Sequence, residues 1–261
     1  RILFENLQSC SKLAVAFSGG TDSSFLLAAA KDALGDKIIS YTIRTGYIST
    51  REIGEAIEFA NQQKVRHRII PVDFPEIIRQ NPPDRCYLCK KNIFSVLLKE
   101  AAADGFSLLA DGTNSDDTGV HRPGLKALQE LGIRSPLMES GLSKMEIRRL
   151  SSLLHLPTSE KPALACLLTR IPYNTEIREE YLIMIEKAET FLHGMGFPGV
   201  RVRTHGSIAR IETDPANMQH LLDKTVTEKI TRYFREIGYT FVTLDLEGYR
   251  MGGMDHVNKT E

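Results

Sequence analysis

The turn Ser18-Gly19-Gly20-Thr21-Asp22-Ser23 constrains this chain more than any other stretch. Before it, the apolar run Leu13 to Phe17 reads as a buried strand. After it, Ser23 through Leu34 is rich in Ala and Leu, free of Pro and Gly, and reads as a helix. Glycines let a backbone turn tightly and bring its N–H groups close to a ligand. A helix starting just beyond adds unpaired N–H donors and the positive end of its dipole, so the turn suits a bound phosphate. Ser18, Ser23 and Ser24 add hydroxyls, and Asp22 either caps the helix or approaches a phosphate-bound Mg²⁺. A Walker A loop is excluded, because no Gly-Lys-Ser/Thr ending follows.

Strand-like runs at about 13–17, 37–43, 67–72 and 107–110 alternate with helical patterns at about 22–34, 50–63 and 88–103. That alternation predicts an α/β fold, a doubly wound parallel sheet with helices on both faces. Ligands of such sheets bind beyond the carboxyl ends of the strands, where strand order reverses. The phosphate turn, the Cys86–Cys89 loop and the Asp111 loop are therefore expected along one rim. The turn resembles the PP-loop of the ATP pyrophosphatases, which cleave ATP to AMP and pyrophosphate. That similarity implies ATP on residues 18–24.

Lys plus Arg and Asp plus Glu both number 33, so net charge gives no reason to expect a nucleic-acid partner. With no leader-like segment and no apolar run of membrane-spanning length, a cytoplasmic protein without a membrane partner is expected. Four cysteines in such a chain suggest metal or redox chemistry over a disulfide framework. Cys86 and Cys89 follow Pro82-Pro83 where the next helix begins, and a helix N-terminus with Lys and Arg nearby favours thiolate. Cys10 reads as a small buried hydrophobe.

Two further loops and a C-terminal module stand out. Asp111-Gly112-Thr113-Asn114-Ser115-Asp116-Asp117 follows a strand; its acids hold Mg²⁺ or substrate, or simply build Asx turns. A helix at about 143–155 opens with a capping-box pattern, Ser143 and Glu146. The irregular stretch 159–173 after it carries Cys166. From about Thr175 the texture changes to a helix, strands at 200–205 and 208–212, a helix at about 215–236 and a last strand at 241–246. Domains of 1–172 and 173–261 are expected, the second a small α+β module. Arg201 and Arg203 share a strand face, either as a phosphate or carboxylate clamp or paired with acids across the sheet.

These pieces resemble the LarE family, the ATP-dependent sulfur-insertion enzymes of nickel-pincer nucleotide cofactor biosynthesis. The markers run nearly end to end: Asp111-Gly-Thr-Asn, Arg122-Pro-Gly-Leu-Lys, Ala165-Cys-Leu…Arg170-Ile-Pro-Tyr, Val-Arg-Val-Arg203 and Ala209-Arg-Ile-Glu. The resemblance implies a transferase that adenylylates a carboxylate of pyridinium-3,5-biscarboxylic acid mononucleotide and then replaces AMP with sulfur. It implies ATP and Mg²⁺ at Ser18, Gly19, Gly20, Thr21, Asp22, Ser23 and Ser24, joined by Asp111, Gly112 and Arg122. Cys166 matches the sulfur-supplying cysteine, Arg201 and Arg203 the substrate-phosphate pair, and Asp22, Glu189 and Asp245 acidic positions of the active site. The family also implies a homo-oligomer.

One branch of the family sacrifices its own cysteine sulfur and lacks the Cys-x-x-Cys. This chain, with Cys86, Cys89 and Cys166, resembles the three-cysteine branch. That implies a 4Fe-4S cluster whose open iron carries a sulfide from an external donor. Zinc on the same cysteines is the other metal reading. Two departures fall near the substrate: Val120-His121 where Asp-Tyr is usual, and Asn174 where Gly is commoner. The rival functions are a tRNA thiolase, a non-catalytic ATP- and metal-binding sensor, and an amide-forming enzyme needing no cysteines.

Overall fold

The computed structural model describes residues 1–119, 123–162 and 165–250. They form two compact units, 1–78 with 84–164, and 79–83 with the chain from 165. The division thus falls before the Cys166 stretch, not after it at 172. The short excursion 79–83 belongs to the second unit for a visible reason. Asn81, fully buried, donates from Nδ2 to the carbonyls of Ile171 (3.0 Å) and Pro172 (2.8 Å). Backbone bonds Asn174 N to Asn81 O and Ile177 N to Arg79 O finish the seam.

The first unit begins with α1 (Ile2–Gln8), β1 (Leu13–Ala16), α2 (Thr21–Leu34), β2 (Ile38–Arg44), α3 (Thr50–Gln62) and β3 (Arg66–Pro71). It continues with α4 (Arg85–Ala103), β4 (Leu109–Ala110) and the helices α5 (Pro123–Glu130), α6 (Pro136–Glu139) and α7 (Lys144–Leu153). All strand pairings are parallel, in the order β3-β2-β1-β4. The period-two alternation of side chains sends Leu13, Val15 and Ile38 into one core with α1, α2, α3 and α7. Ala14, Ile39 and Tyr41 enter a second core with α4 and α5. Helices therefore cover both faces. Because β1 neighbours both β2 and β4, strand order reverses between β1 and β4, and the loops leaving them frame the crevice where ligands of such sheets sit.

Ser143 and Glu146 form the expected capping box at the start of α7. Cys10 is buried, as its apolar surroundings suggest.

The second unit holds α8 (Glu179–Gly194), β5 (Arg201–His205), β6 (Ile208–Glu212), α9 (Pro215–Leu221), α10 (Lys224–Glu236) and β7 (Phe241–Leu244). β5 and β6 are antiparallel, and β7 adds to β6 in parallel. Val202, Ala209 and Ile211 face a core with Leu192, Phe234 and Tyr239. The single helix expected over 215–236 is two helices. Asp214 accepts a hydrogen bond from Ala216 N at 2.9 Å and caps the first, and Asp223 occupies the N-cap of the second. An N-cap aspartate inside an otherwise helical pattern was the available signal for the break.

Candidate active site

At the end of β1, Thr42 Oγ1 on β2 donates to the Phe17 carbonyl at 2.6 Å and fixes where the strand stops. The Ser18 and Ser23 hydroxyls lie 3.0 Å apart across the turn. Gly19 has φ +71°, and a Cβ there would stand 3.0 Å from the Ala56 Cβ of α3, so conformation and space both call for glycine. Gly20 is the N-cap of α2 and no side chain caps that helix. Its first N–H groups are thus the kind of donors an anionic phosphate takes.

Asp22 does not cap α2. Its Oδ2 pairs with Lys144 Nζ, while Oδ1 is buried without a hydrogen-bond partner among the described residues. Ser24 Oγ, two residues on in α2, is also buried without a hydrogen-bond partner among the described residues. A buried carboxylate oxygen left unpaired costs free energy, and a hard cation on a phosphate is the ligand that would satisfy it. The donor set at the turn therefore fits Mg²⁺.

The Asp111 loop meets this turn at close range. A Cβ on Gly112 would lie 2.9 Å from the Ser23 backbone nitrogen, so only glycine lets the loop pass the first turn of α2. Asp111 is buried, with Thr113 Oγ1 donating to one oxygen at 2.5 Å and Ser135 Oγ to the other at 2.7 Å. Asn114 Oδ1 accepts from Asp116 N, Asp117 Oδ2 from Asn114 N, and Asp116 Oδ2 from Lys144 N. Of the two uses open to these acids, the bonds seen are those that shape the loop. Val120, His121 and Arg122 lie outside the described residues.

Cys86 is the second and Cys89 the fifth residue of α4, so both lie at the start of that helix, after the double proline. Cys86 is exposed; Cys89 is half-buried, its Sγ 3.3 Å from the hydroxyl of the buried Tyr47. They belong to the first unit and Cys166 to the second. Among the described residues no group of three or more His, Cys, Asp or Glu side chains is gathered to hold a metal ion.

In the second unit the Cys166 stretch is held by Arg170, whose side chain is 3% exposed. Its Nη1 donates to the Ala165 carbonyl at 2.9 Å, the Cys166 carbonyl at 3.3 Å and Thr169 Oγ1 at 2.7 Å. Nε and Nη2 form a fork with the two oxygens of Glu189, at 2.8 and 2.9 Å. Glu189 also accepts from Val202 N, so its observed bonds tie the Cys166 stretch to β5 through Arg170.

Arg201 and Arg203 share a face of β5, as period two requires, yet both are buried. Arg203 Nη2 pairs with Glu212 at 2.8 Å and Nη1 donates to the Thr169 carbonyl at 2.6 Å. Arg210 reaches the other Glu212 oxygen at 2.9 Å and Asp245 at 3.3 Å. Arg201 stacks on Tyr249, its guanidinium carbon 5.4 Å from the ring centroid. The acid pairing across the sheet therefore exists, but it is buried and not solvated. Arg170, Arg210, Glu212 and Lys144 are side chains of these networks to which the sequence reading gave no role. Charge on alternate residues of neighbouring strands was the signal for Arg210 and Glu212; nothing local marked Lys144.

Asn174, one of the two departures, has φ +57°. Asn is among the few non-glycine residues that tolerate that region, so its presence where Gly is commoner has a backbone explanation. Asn174→Gly should leave the melting temperature and activity near wild type, whereas Asn174→Val should cost about 1–3 kcal/mol of stability. Thermal unfolding of the two variants checks this.

A parallel sheet with a glycine turn and an uncapped helix after its first strand, approached by a glycine of the loop after β4, defines an α/β protein of the PP-loop type. In agreement, residues 12–83 match the model of the family described as queuosine biosynthesis protein QueC. Over 252 residues the chain is 34% identical to the pyridinium-3,5-bisthiocarboxylic acid mononucleotide synthase of Lactiplantibacillus plantarum, covering 95% of this chain and 91% of that protein. It is 36% identical over 247 residues to an uncharacterized protein of Synechocystis, covering 93% and 91% of the two chains. An uncharacterized protein of Methanocaldococcus jannaschii is 36% identical over 241 residues, 92% of this chain and 91% of that one. The chain belongs to the pyridinium-3,5-bisthiocarboxylic acid mononucleotide synthase (LarE) family and is an enzyme. Among the described residues no helix is long and apolar enough to cross a membrane.

Proposed function

We propose that this enzyme uses ATP to convert a carboxylate of a pyridinium mononucleotide into a thiocarboxylate. The observation that carries the reading is the phosphate turn: an uncapped helix N-terminus with the unpaired Asp22 oxygen beside it. The relative from Lactiplantibacillus plantarum supplies the substrate class by its name. In the first step a carboxylate oxygen of the substrate attacks the α-phosphorus of ATP, the bond to pyrophosphate breaks, and an acyl-adenylate forms. In the second a sulfur nucleophile attacks the acyl carbon and AMP leaves with the carboxylate oxygen. The turn at 18–24 binds the phosphates through N–H and hydroxyl donors, with Gly112 keeping the loop after β4 against it. A bound Mg²⁺ would be held by Asp22 and would neutralise phosphate charge. Arg201 and Arg203 are proposed for the substrate phosphate and Asp245 for the acidic side of the same site. Glu189 acts there by holding Arg170.

For the sulfur we propose Cys166, either as holder with Cys86 and Cys89 of a 4Fe-4S cluster carrying an extra sulfide or as the donor itself. The Cys-x-x-Cys at the start of α4 supports the cluster. Anaerobic iron and acid-labile sulfide, followed by intact mass after one turnover, separate the two sources. Iron at about four per chain, lost in Cys86→Ser, Cys89→Ser and Cys166→Ser, with mass unchanged, supports the cluster. No iron and a mass loss matching H₂S at Cys166 means self-consumption. Absence of substrate-dependent pyrophosphate release would overturn the reading altogether.

A further inference from the structure

We propose that Lys161 is a positioning residue of the nucleotide site, its ammonium holding the carbonyl of Gly19 so that the phosphate turn presents N–H groups to the ligand. The inference rests on the ATP reading and adds a residue to it. A turn that binds phosphate must point N–H groups inward and carbonyls elsewhere, because a carbonyl oxygen facing the anion repels it. A Walker loop supplies a lysine from its own sequence; this turn has none, and its neighbours supply cations from other elements. Lys161 Nζ donates to Gly19 O at 2.8 Å, and Gly19 is buried. The lysine side chain is 14% exposed and pairs with Glu55 of α3 at 2.6 Å. Glu55 precedes Ala56, whose Cβ lies against Gly19. Successive residues of α3 thus bear on Gly19 twice, by contact through Ala56 and by charge through Glu55 and Lys161.

The segment that carries Lys161 is itself anchored. Arg148 of α7 donates from Nη1 to the Ser159 carbonyl and from Nη2 to the Lys161 carbonyl, both at 2.7 Å. Thr21 Oγ1, in the turn, donates to the Thr158 carbonyl at 2.9 Å. So 158–161 is a strap: α7 grips it through Arg148, and it grips the turn at Gly19 and at Thr21. A lysine serving solvation alone would need neither the buried carbonyl nor the gripped backbone.

Calorimetric titration of Mg-ATP into the full chain tests this with Lys161→Met, Lys161→Arg and Arg148→Met, alongside melting temperatures. Loss of a charge-assisted bond to a buried carbonyl at the ligand's edge should weaken ATP binding by about ten- to a hundredfold in Lys161→Met. Lys161→Arg, which keeps the donor and the charge, should stay within about threefold of wild type. In steady state, Lys161→Met should raise the KM for ATP and leave that for the carboxylate substrate unchanged, a split that a general loss of stability would not produce. A folded Lys161→Met that binds ATP like wild type overturns the inference, as does equal weakening in Lys161→Arg. If Lys161→Met does not fold, Arg148→Met decides: about threefold weaker ATP binding supports the strap and unchanged affinity overturns it. Wild-type protein that binds no ATP overturns the functional reading, and this inference with it.

Discussion

Glu212→Gln should destabilise the second unit by about 3–5 kcal/mol, a large part of what holds any domain folded. The side chains of Glu212 and Arg203 are 3% and 5% exposed, so neither charge has water to fall back on. One carboxylate here serves two guanidiniums, with Arg203 on one oxygen and Arg210 on the other. The amide removes the full negative charge that faces Arg203 and leaves a buried cation beside the Thr169 carbonyl. Arg210→Met serves as the comparison. Arg210 is 30% exposed and Arg203 still neutralises the carboxylate, so Arg210→Met should cost less, about 1–3 kcal/mol for the buried Glu212 oxygen it leaves unpaired. Hydrogen exchange resolved by peptide is the measurement, because two compact units need not unfold together. Faster exchange over β5, β6 and α8, with β1 and β2 unchanged, is expected. A Glu212→Gln protein with wild-type protection there would show that this network contributes little to folding.

The same network shows where the sequence was readable and where it was not. The period-two alternation of β5 put Arg201 and Arg203 on one face, and the structure agrees. That the face would be buried, with Arg203 paired to the neighbouring strand, depends on a diagonal contact to Glu212, which strand periodicity does not order by itself. The first unit was legible for the same reason it is stable. Apolar runs such as Leu13–Phe17, separated by helical patterns, leave few arrangements besides a parallel sheet with two covered faces. The phosphate turn was legible because its function needs glycines at defined places. Lys144 and Lys161 were not, since each reaches the turn from more than a hundred residues away in sequence. The seam at Asn81 was invisible too: a side chain bonding the carbonyls of Ile171 and Pro172 leaves no periodic trace. It carries 79–83 into the second unit, while the bonds of Arg170 to Glu189 and of Arg203 to the Thr169 carbonyl keep 165–172 there.

Gly112→Ala should lower ATP-dependent pyrophosphate release by about a hundredfold while leaving the chain folded. The cause is close approach, not conformation. The added Cβ would stand 2.9 Å from Ser23 N, 3.0 Å from Ser23 Cα and 3.3 Å from Asp22 C, all backbone atoms of the first turn of α2. A flexible side chain could swing away from such a contact; a helix backbone cannot. Either the Asp111 loop or the start of α2 must move by several tenths of an ångström. The loop is pinned on its own side by the bonds from Thr113 and Ser135 to Asp111 and by Asp111 N donating to Arg134 O. The N-terminus of α2 is the remaining freedom, and it carries the N–H groups proposed to hold phosphate. Overpacking of this kind costs about 1–3 kcal/mol of stability, which a folded chain can bear. Geometry at a reacting phosphate is less forgiving. Gly54→Ala is the control: it lies inside α3 with nothing within 4 Å of a new Cβ, and should stabilise the protein by about 0.5–1 kcal/mol without affecting pyrophosphate release. If Gly112→Ala matched Gly54→Ala in activity, the approach of the Asp111 loop to the turn would have no part in binding ATP.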